Sequence, residues 1–400
     1  MPRRNPEPSE PAIVMDRVRR IAILMGQDLS FCRKAIRGIR AYALSKPDWA
    51  FRNGPPELQI IPYLKDWKPD GIIANLTVMN ASRAIIGLRK PIIDTSNALA
   101  GLNIPVVDVD NLAVGRLAAE YLLDRRFTNF GFFGSKSVYS QLRLAGFRER
   151  LAKEGHVVSA CHGEYLQHVP SRSSWKKMDA KIGLWLQQLP KPVAILACND
   201  VPARSLADAC RQLGLHIPEQ VALLGVDDDE MECPLTSPPL SSVAIPAERI
   251  GYEAAKLLDR MISGEGPPKT PLSLPPLCVV TRQSTDTMAI SDPIVLAALR
   301  HIRMHAAERI TVGSVVHETG CGRRELERHF RRVLGRSVLT EIRITRVERA
   351  KEILQSTNLP MPAIAAQAGF ASPERFAVVF RRLVGMSPSA YRRQAQIHHT

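Results

Sequence analysis

Two stretches near the C-terminus are versions of one another. Residues 315–335 read VVHETGCGRRELERHFRRVLG, and residues 363–385 read AIAAQAGFASPERFAVVFRRLVG. Each runs as an apolar helix, a glycine turn, a second helix and then Phe-Arg-Arg-x-x-Gly. Phe330 and Phe380 are fifty residues apart, as are Gly335 and Gly385, while the turn glycines Gly320 and Gly369 are forty-nine apart. The second turn is therefore one residue longer. A repeat of this kind marks a duplicated supersecondary unit, which restricts the last hundred residues to an all-helical module with two equivalent heads.

Each copy reads as a helix-turn-helix. In the first, Val312, Val315 and Val316 face a core, Gly320 makes the turn, and Leu326, Phe330 and Val333 recur at i, i+4 and i+7 on the second helix. In the second, Ile364 and Ala365 pack, Gly369 turns, and Ser372-Pro373 start a helix that buries Phe376, Phe380 and Leu383. The open faces then carry Arg324, Glu327, Arg328 and Arg331 in one copy, and Glu374, Arg375, Ala377, Val378 and Arg381 in the other. A helix from about Val338 to Ser356 joins them, roughly 28 Å long at 1.5 Å per residue. One turn of B-DNA is about 34 Å, so such a spacer suits two recognition helices set into successive major grooves.

The charge distribution agrees. The chain has 400 residues and a formal net charge of +15. From Ser291 onward, 18 Lys and Arg stand against 9 Asp and Glu, whereas the first 290 residues hold 36 against 30. A dense basic segment rich in Arg fits phosphate neutralisation and bidentate recognition of guanine.

The first 285 residues follow another rule. After a leader expected to be disordered (1–19), β-rich apolar runs alternate with helical stretches: strands at 20–26, 70–76, 91–96, 104–110, 130–135, 193–199, 221–227 and 240–245, with helices at 30–45, 111–125, 139–153, 201–213 and 247–263. This alternation predicts an α/β fold with a mostly parallel sheet covered on both faces, in two lobes. A Pro/Gly-rich connector (263–286) and a short linker (286–291) lead to Asp292-Pro293, an N-cap followed by proline at the first helical position. In parallel sheets ligands bind beyond the carboxyl ends of the strands. The polar residues there are Asp110, Asn199, Asp200 and Asp227, with Arg143 near the start of the helix after strand 130–135. Asp28 and Phe31 belong to the first such loop. Asp110 and Asp200 equally suit N-caps of the helices that follow them, and Arg143 an exposed helix position. Asp228 and Asp229 read as solvated loop charges. Trp49, Trp67, Trp175 and Trp185 read as core or surface.

Residues 292–393 resemble the AraC/XylS-type DNA-binding domain. The stretches that carry the likeness are GCGRRELERHFRRVLGRS, RITRVERAKEILQSTNLPMPAIAAQAGFASPERF and FRRLVGMSPSAYRR, leaving 394–400 as a tail. The resemblance implies that both second helices read double-stranded DNA. Arg324, Glu327 and Arg328, and Pro373, Glu374 and Val378, fall on base-facing sites, with Arg323, Arg331, Arg375 and Arg381 alongside. Val378 stands where the family favours a polar reader, which leaves that helix a thymine-methyl contact or phosphate anchoring. Residues 20–285 resemble the sugar-binding lobes of LacI/GalR-type repressors and of periplasmic (type I) sugar-binding proteins, through VDNLAVGRLAAEYLL, SVYSQLRLAGFRERL, AILACNDVPARSLADACRQLGLHIPEQVALLGVDDDE and PLSSVAIPAERIGYEAAKLL. That likeness implies a sugar effector held by Asp110, Arg143, Asn199 and Asp227, with Asp28 and Asp200 beside them. The sensor-first order resembles the regulators of xylose operons and makes D-xylose the first effector to expect, another sugar or polyol the second.

Other classes fit poorly. No run of eighteen apolar residues would span a membrane, and the N-terminus lacks the apolar core of a secretory signal, which argues for the cytoplasm and against a transport receptor. Seven scattered Cys without a C-x-x-C pair argue against a zinc site or a disulfide framework. The sequence has no G-x-x-x-x-G-K-[ST], G-x-S-x-G or H-E-x-x-H, so no enzyme, metal or cofactor is expected. Family precedent suggests a homodimer, with helices 30–45 and 79–88 as a possible seam, and a contact with RNA polymerase if the protein activates.

Overall fold

The computed structural model describes residues 18–163, 172–286, 292–308, 310–357 and 359–397. The expected leader through residue 17, the linker at 287–291 and the last three residues lie outside them. The chain divides into two compact units, 1–286 and 287–400.

The first unit has two lobes. One contains β1 (Arg19–Leu24), α1 (Ser30–Ala43), β2 (Trp49–Gly54), α2 (Ile60–Trp67), β3 (Gly71–Ala74), α3 (Met79–Ile86), β4 (Ile92–Asp94) and β5 (Val107–Val109). Its sheet runs β2-β1-β3-β4, all parallel. A bridge from Asp94 to Val106 continues it toward β5. The chain then passes into the second lobe: α4 (Asn111–Asp124), β6 (Phe130–Gly134), α5 (Val138–Ala152), β7 (Val158–His162), α6 (Arg172–Gln188), β8 (Val193–Ala197), α7 (Asp200–Gln212), β9 (Val221–Val226), α8 (Glu232–Leu235) and β10 (Ser241–Val243). From there α9 (Ala247–Ile262) returns to pack on α1. Next, β11 (Leu272–Leu274) pairs with β5. Finally β12 (Val279–Val280) closes the second sheet, β12-β10-β9-β8-β6-β7, antiparallel to β10 at its edge. Three crossings thus join the lobes, and β2, α2, β7, α6, α8, β11 and β12 add to the elements legible in the sequence.

Each lobe has one helix pair in backbone contact. A Cβ on Gly38 would lie 1.8 Å from the Glu248 carbonyl oxygen, and one on Gly251 would lie 1.9 Å from that of Ala35, so α1 and α9 touch through glycine. In the second lobe Gly115 and Gly146 do the same for α4 and α5: a Cβ on Gly115 would stand 2.1 Å from the carbonyl oxygen of Arg143. That contact fixes where α5 presents Arg143.

The second unit is all helical: α10 (Pro293–Met304), α11 (Val312–Thr319), α12 (Arg323–Leu334), α13 (Val338–Ser356), α14 (Met361–Gln367), α15 (Pro373–Val384) and α16 (Pro388–Ile397). It has two small cores. Leu326 and Phe330 pack with Val295, Leu299 and Val315 in one, and Phe376 and Phe380 pack with Ile364 and Ala365 in the other. The connecting helix α13 serves both, giving Val338 and Ile342 to the first and Val347, Ala350 and Leu354 to the second. The five-residue step from 342 to 347 swings its apolar stripe from one head to the other, since residues three or four apart share a face. Gly320, Gly335, Gly369 and Gly385 all take left-handed backbone, at φ 63°, 66°, 79° and 84°, which costs glycine least. Asp292 caps α10 as expected, accepting from the N–H groups of Ile294 and Val295. Two expectations fail here. Leu383 is exposed and Val379 and Val384 pack in its place. Residues 394–397 continue α16 instead of forming a tail.

Candidate functional site

Where the carboxyl ends of the two sheets face each other, the first unit holds a cavity of about 370 Å³. Asn75 after β3, Thr95 and Ser96 after β4, Ser135 after β6, Asn199 after β8 and Asp227 after β9 line it, with Phe31, Pro202 and Ile245 as apolar walls. A polar wall with a few apolar panels is what a polyhydroxylated ligand needs, and the volume lies in the usual range for small ligands.

A chain of hydrogen bonds organises its charged residues. The Arg143 Nε donates to Asn111 Oδ1 at 2.8 Å, and its guanidinium also donates to the Cys198 carbonyl oxygen. Asn111 in turn donates from Nδ2 to Asp108 Oδ2 at 2.6 Å. On the other side Arg143 Nη2 stands 3.8 Å from Asp227 Oδ1, and Asn199 Nδ2 donates to Asp227 Oδ2 at 2.6 Å. Burial raises both carboxyls while Arg143 pulls each back, and Asp108 ends at about 7. Burial also lifts the Tyr139 hydroxyl to about 12, so it remains a neutral donor at the cavity wall. Asp227 has φ 110° and Asp228 φ 50°, two consecutive non-glycine residues in the left-handed region. Strain of this kind collects at ligand sites and switch segments.

The structure brings Asp28, Phe31, Arg143, Asn199 and Asp227 to the cavity. Arg143 sits in the second turn of α5 and is 3% exposed, so it is no surface helix arginine. Asp110 is not among the lining residues: its Oδ1 accepts from the Ala113 N–H at 2.9 Å and caps α4. Asp108 takes the place on the cavity wall instead. Asp200 touches the cavity, but its oxygens are spent inward on the Asp229 N–H, Ser242 Oγ and Cys233 Sγ. It shapes the 227–230 loop. Asp228 and Asp229 are not solvated loop charges either: Asp228 pairs with Arg282 at 2.7 Å, and buried Asp229 accepts from the N–H groups of Ser30, Met231 and Glu232. Asn111, missed from sequence, stands at the first helical position, where its amide reads as a helix start. Trp49, Trp67 and Trp185 do not line the cavity.

In the second unit Arg323, Arg324, Arg328 and Arg331 are exposed along α12, and Glu374, Arg375, Val378 and Arg381 along α15, with Pro373 half-buried at its start. Glu327 is half-buried beside Arg328, and its Oε2 has no hydrogen-bond partner among the described residues. Val378 is 68% exposed, an apolar side chain with no core to serve. The α12 helix is held from behind: His329 Nδ1 and Arg332 Nη2 bond Asp292 Oδ2 at 2.6 and 2.7 Å. Burial opposes ionisation of that carboxyl, but these two partners hold it below the usual range. Among the described residues no helix is long and apolar enough to cross a membrane, and no cluster could hold a metal ion.

Known proteins match both units. The periplasmic binding protein-like domain family matches residues 119–285, and a helix-turn-helix domain family matches 315–394. The xylose operon regulatory protein of Escherichia coli K12 is 30% identical over 382 residues, covering 93% of this chain and 96% of the relative. That of Haemophilus influenzae is 30% identical over 285 residues, covering 70% and 73%. A solved structure of the xylose-binding transcription activator XylR superposes with a TM-score of 0.80 at 28% identity, covering 94% of this chain and 98% of that one. A LacI-type regulator from Alkaliphilus metalliredigens, 19% identical with a TM-score of 0.52, shares the fold of the sensor. The likenesses to the Escherichia coli regulator and to the XylR structure run through both units in the same order, and these relatives are regulators, not enzymes. The chain therefore belongs to the family of xylose operon regulatory proteins, sugar-responsive DNA-binding regulators of transcription.

Proposed function

We propose that the effector is D-xylose, bound in the cavity between the lobes by Arg143, Asn199 and Asp227, and that α12 and α15 read the operator. The observation that carries the sugar site is the Arg143–Asp227–Asn199 arrangement at the strand ends. Planar side chains locked by their neighbours fork onto adjacent hydroxyls with little entropy left to lose. Asp28 and Asp108 complete the polar wall. The likeness to xylose operon regulators and to a xylose-binding activator supplies the preference for xylose.

Ligand in the cavity favours closed lobes, and closure can act on DNA only through its different affinities for the two states. On this reading the working unit is a homodimer, which contacts RNA polymerase if the protein activates. The deciding experiment is a thermal-shift panel of pentoses, hexoses and polyols on the full chain. D-xylose at a hundred times its Kd should stabilise by about 2.7 kcal/mol. A shift with another sugar alone would move the effector, and silence across the panel would remove the cavity's assigned role.

A further inference from the structure

One residue of the sensor touches three systems at once. The Asp228 backbone carbonyl accepts from Lys34 Nζ at 2.7 Å, and Lys34 belongs to α1 of the other lobe. Its N–H donates to Ser242 Oγ at 3.0 Å, the hydroxyl that also bonds Asp200. Its carboxylate takes Arg282 Nη2 at 2.7 Å. It directly follows Asp227, which lines the cavity.

Arg282 lies four residues before the end of the first unit, and the segment around it is anchored. Its backbone N–H donates to Ser241 Oγ, which donates to its carbonyl oxygen. Its Nη1 donates to the Leu240 carbonyl. Ser284 Oγ donates to the Leu223 carbonyl, and Thr285 Oγ1 to Ser241 Oγ. This segment ends the first unit, from which the chain runs on to the helical unit. The Asp228–Arg282 pair is a direct side-chain link from the 227–228 backbone to this segment, beside the path through Ser242 and Ser241. The positive φ angles of Asp227 and Asp228 are backbone strain that persists only while the surroundings impose it.

We propose that Asp228 and Arg282 form the coupling element between the sugar cavity and the DNA-binding unit. Asp228 registers lobe closure through Lys34 and ligand through Asp227, and Arg282 passes both to residues 281–286. They are positioning residues and touch no sugar. The proposal rests on the cavity being the effector site, as argued above, and its test separates the two.

The full chain, Asp228→Asn, Arg282→Gln and Arg282→Lys are compared by two measurements: D-xylose affinity by calorimetry, and affinity for a duplex selected by the full chain from a random-sequence library, with and without D-xylose. Asn tolerates left-handed backbone best among such replacements, so Asp228→Asn removes charge with little strain. The wild-type sugar effect on DNA affinity should lie within roughly 5- to 150-fold. Asp228→Asn and Arg282→Gln should keep the D-xylose affinity while that effect falls to nearly onefold, and Arg282→Lys should restore part of it. A wild-type sugar effect retained in both neutral variants overturns the proposal. If the wild type binds no D-xylose, the effector assignment fails, and the pair is tested without sugar by amide exchange. Lys34→Met should then speed exchange in residues 281–286 of the wild type but not of Arg282→Gln; equal exchange in all would overturn it.

Discussion

Arg143 and Asn111 meet at 2.8 Å, guanidinium Nε to amide Oδ1, across two helices whose backbones touch at Gly115. The amide is thereby oriented, since its oxygen faces Arg143 and its nitrogen must face Asp108. Asn111→Asp would place two carboxylates side by side and swap a donor for an acceptor. Leaving a buried group unpaired costs about 1–3 kcal/mol. D-xylose affinity in Asn111→Asp should therefore fall by one to two orders of magnitude by calorimetry, with the far-UV spectrum unchanged. Wild-type affinity would detach the helix pair from the site.

Asp227→Ala should abolish the sugar response while leaving DNA binding in the absence of sugar. It removes the acceptor of Asn199 and the charge facing Arg143 together. A retained thermal shift with D-xylose would move the ligand elsewhere in the unit.

The glycines separate into two kinds. Gly115→Ala puts a methyl 2.1 Å from the Arg143 carbonyl oxygen and 2.6 Å from the Phe147 nitrogen, neither of which can yield without parting α4 from α5. Overpacking of this sort costs about 1–3 kcal/mol, so a lower Tm and weaker sugar binding are expected together. Gly183 lies inside α6, and a Cβ added there would meet nothing within 4 Å. At that position alanine should stabilise by about 0.5–1 kcal/mol. A calorimetric scan of both variants checks the opposite signs.

Much of this arrangement was legible beforehand, and the misses have physical reasons. Buried central strands such as β8 and β9 are unbroken apolar runs, because both faces are covered. The edge strand β2, Trp49–Gly54, has most of its side chains exposed and shows no such run. The duplicated heads were readable because glycine, phenylalanine and arginine recur at nearly fixed spacing. Asp110 and Asp108 could not be told apart by position alone. A carboxylate within a short strand and one that caps the next helix look alike in sequence, and only the fold shows that Asp110 turns back onto Ala113. Asp228 and Asp229 read as solvent charges because their partners, Arg282 and Ser30, lie 54 and 199 residues away.

Asp108 gives the sensor a pH signature. Its folded-state value of about 7, set by burial and eased by Arg143, lies above the unfolded value of about 3.9. A carboxyl raised on folding contributes stability that is complete below about pH 3.9 and is lost as pH rises to about 7. Relative to Asp108→Asn, the wild type should therefore lose stability between pH 5 and 7, by at most about 1.4 kcal/mol per pH unit, and hold level above pH 8. Parallel urea titrations at these pH values test it, and a gap that does not change with pH would mean that Asp108 stays ionised throughout.

If α12 and α15 both read the operator as proposed, salt should govern them differently. Arg324→Ala removes an exposed arginine from α12 that can fork onto guanine, so operator affinity should fall by about 1–3 kcal/mol with base preference lost at one position. Arg381 is exposed near the end of α15, and its substitution tests a phosphate role. Arg381→Ala should weaken all duplexes alike and reduce the slope of log K against log salt by about one. Val378 carries no charge, and its exposed isopropyl group suits a thymine methyl. Val378→Ala should leave the salt slope untouched while relaxing a preference for thymine. Binding titrations at several salt concentrations, on the selected duplex and on single-base variants of it, separate the three. If Val378→Ala lowered the salt slope and kept every base preference, α15 would act as a phosphate anchor and α12 alone would read sequence.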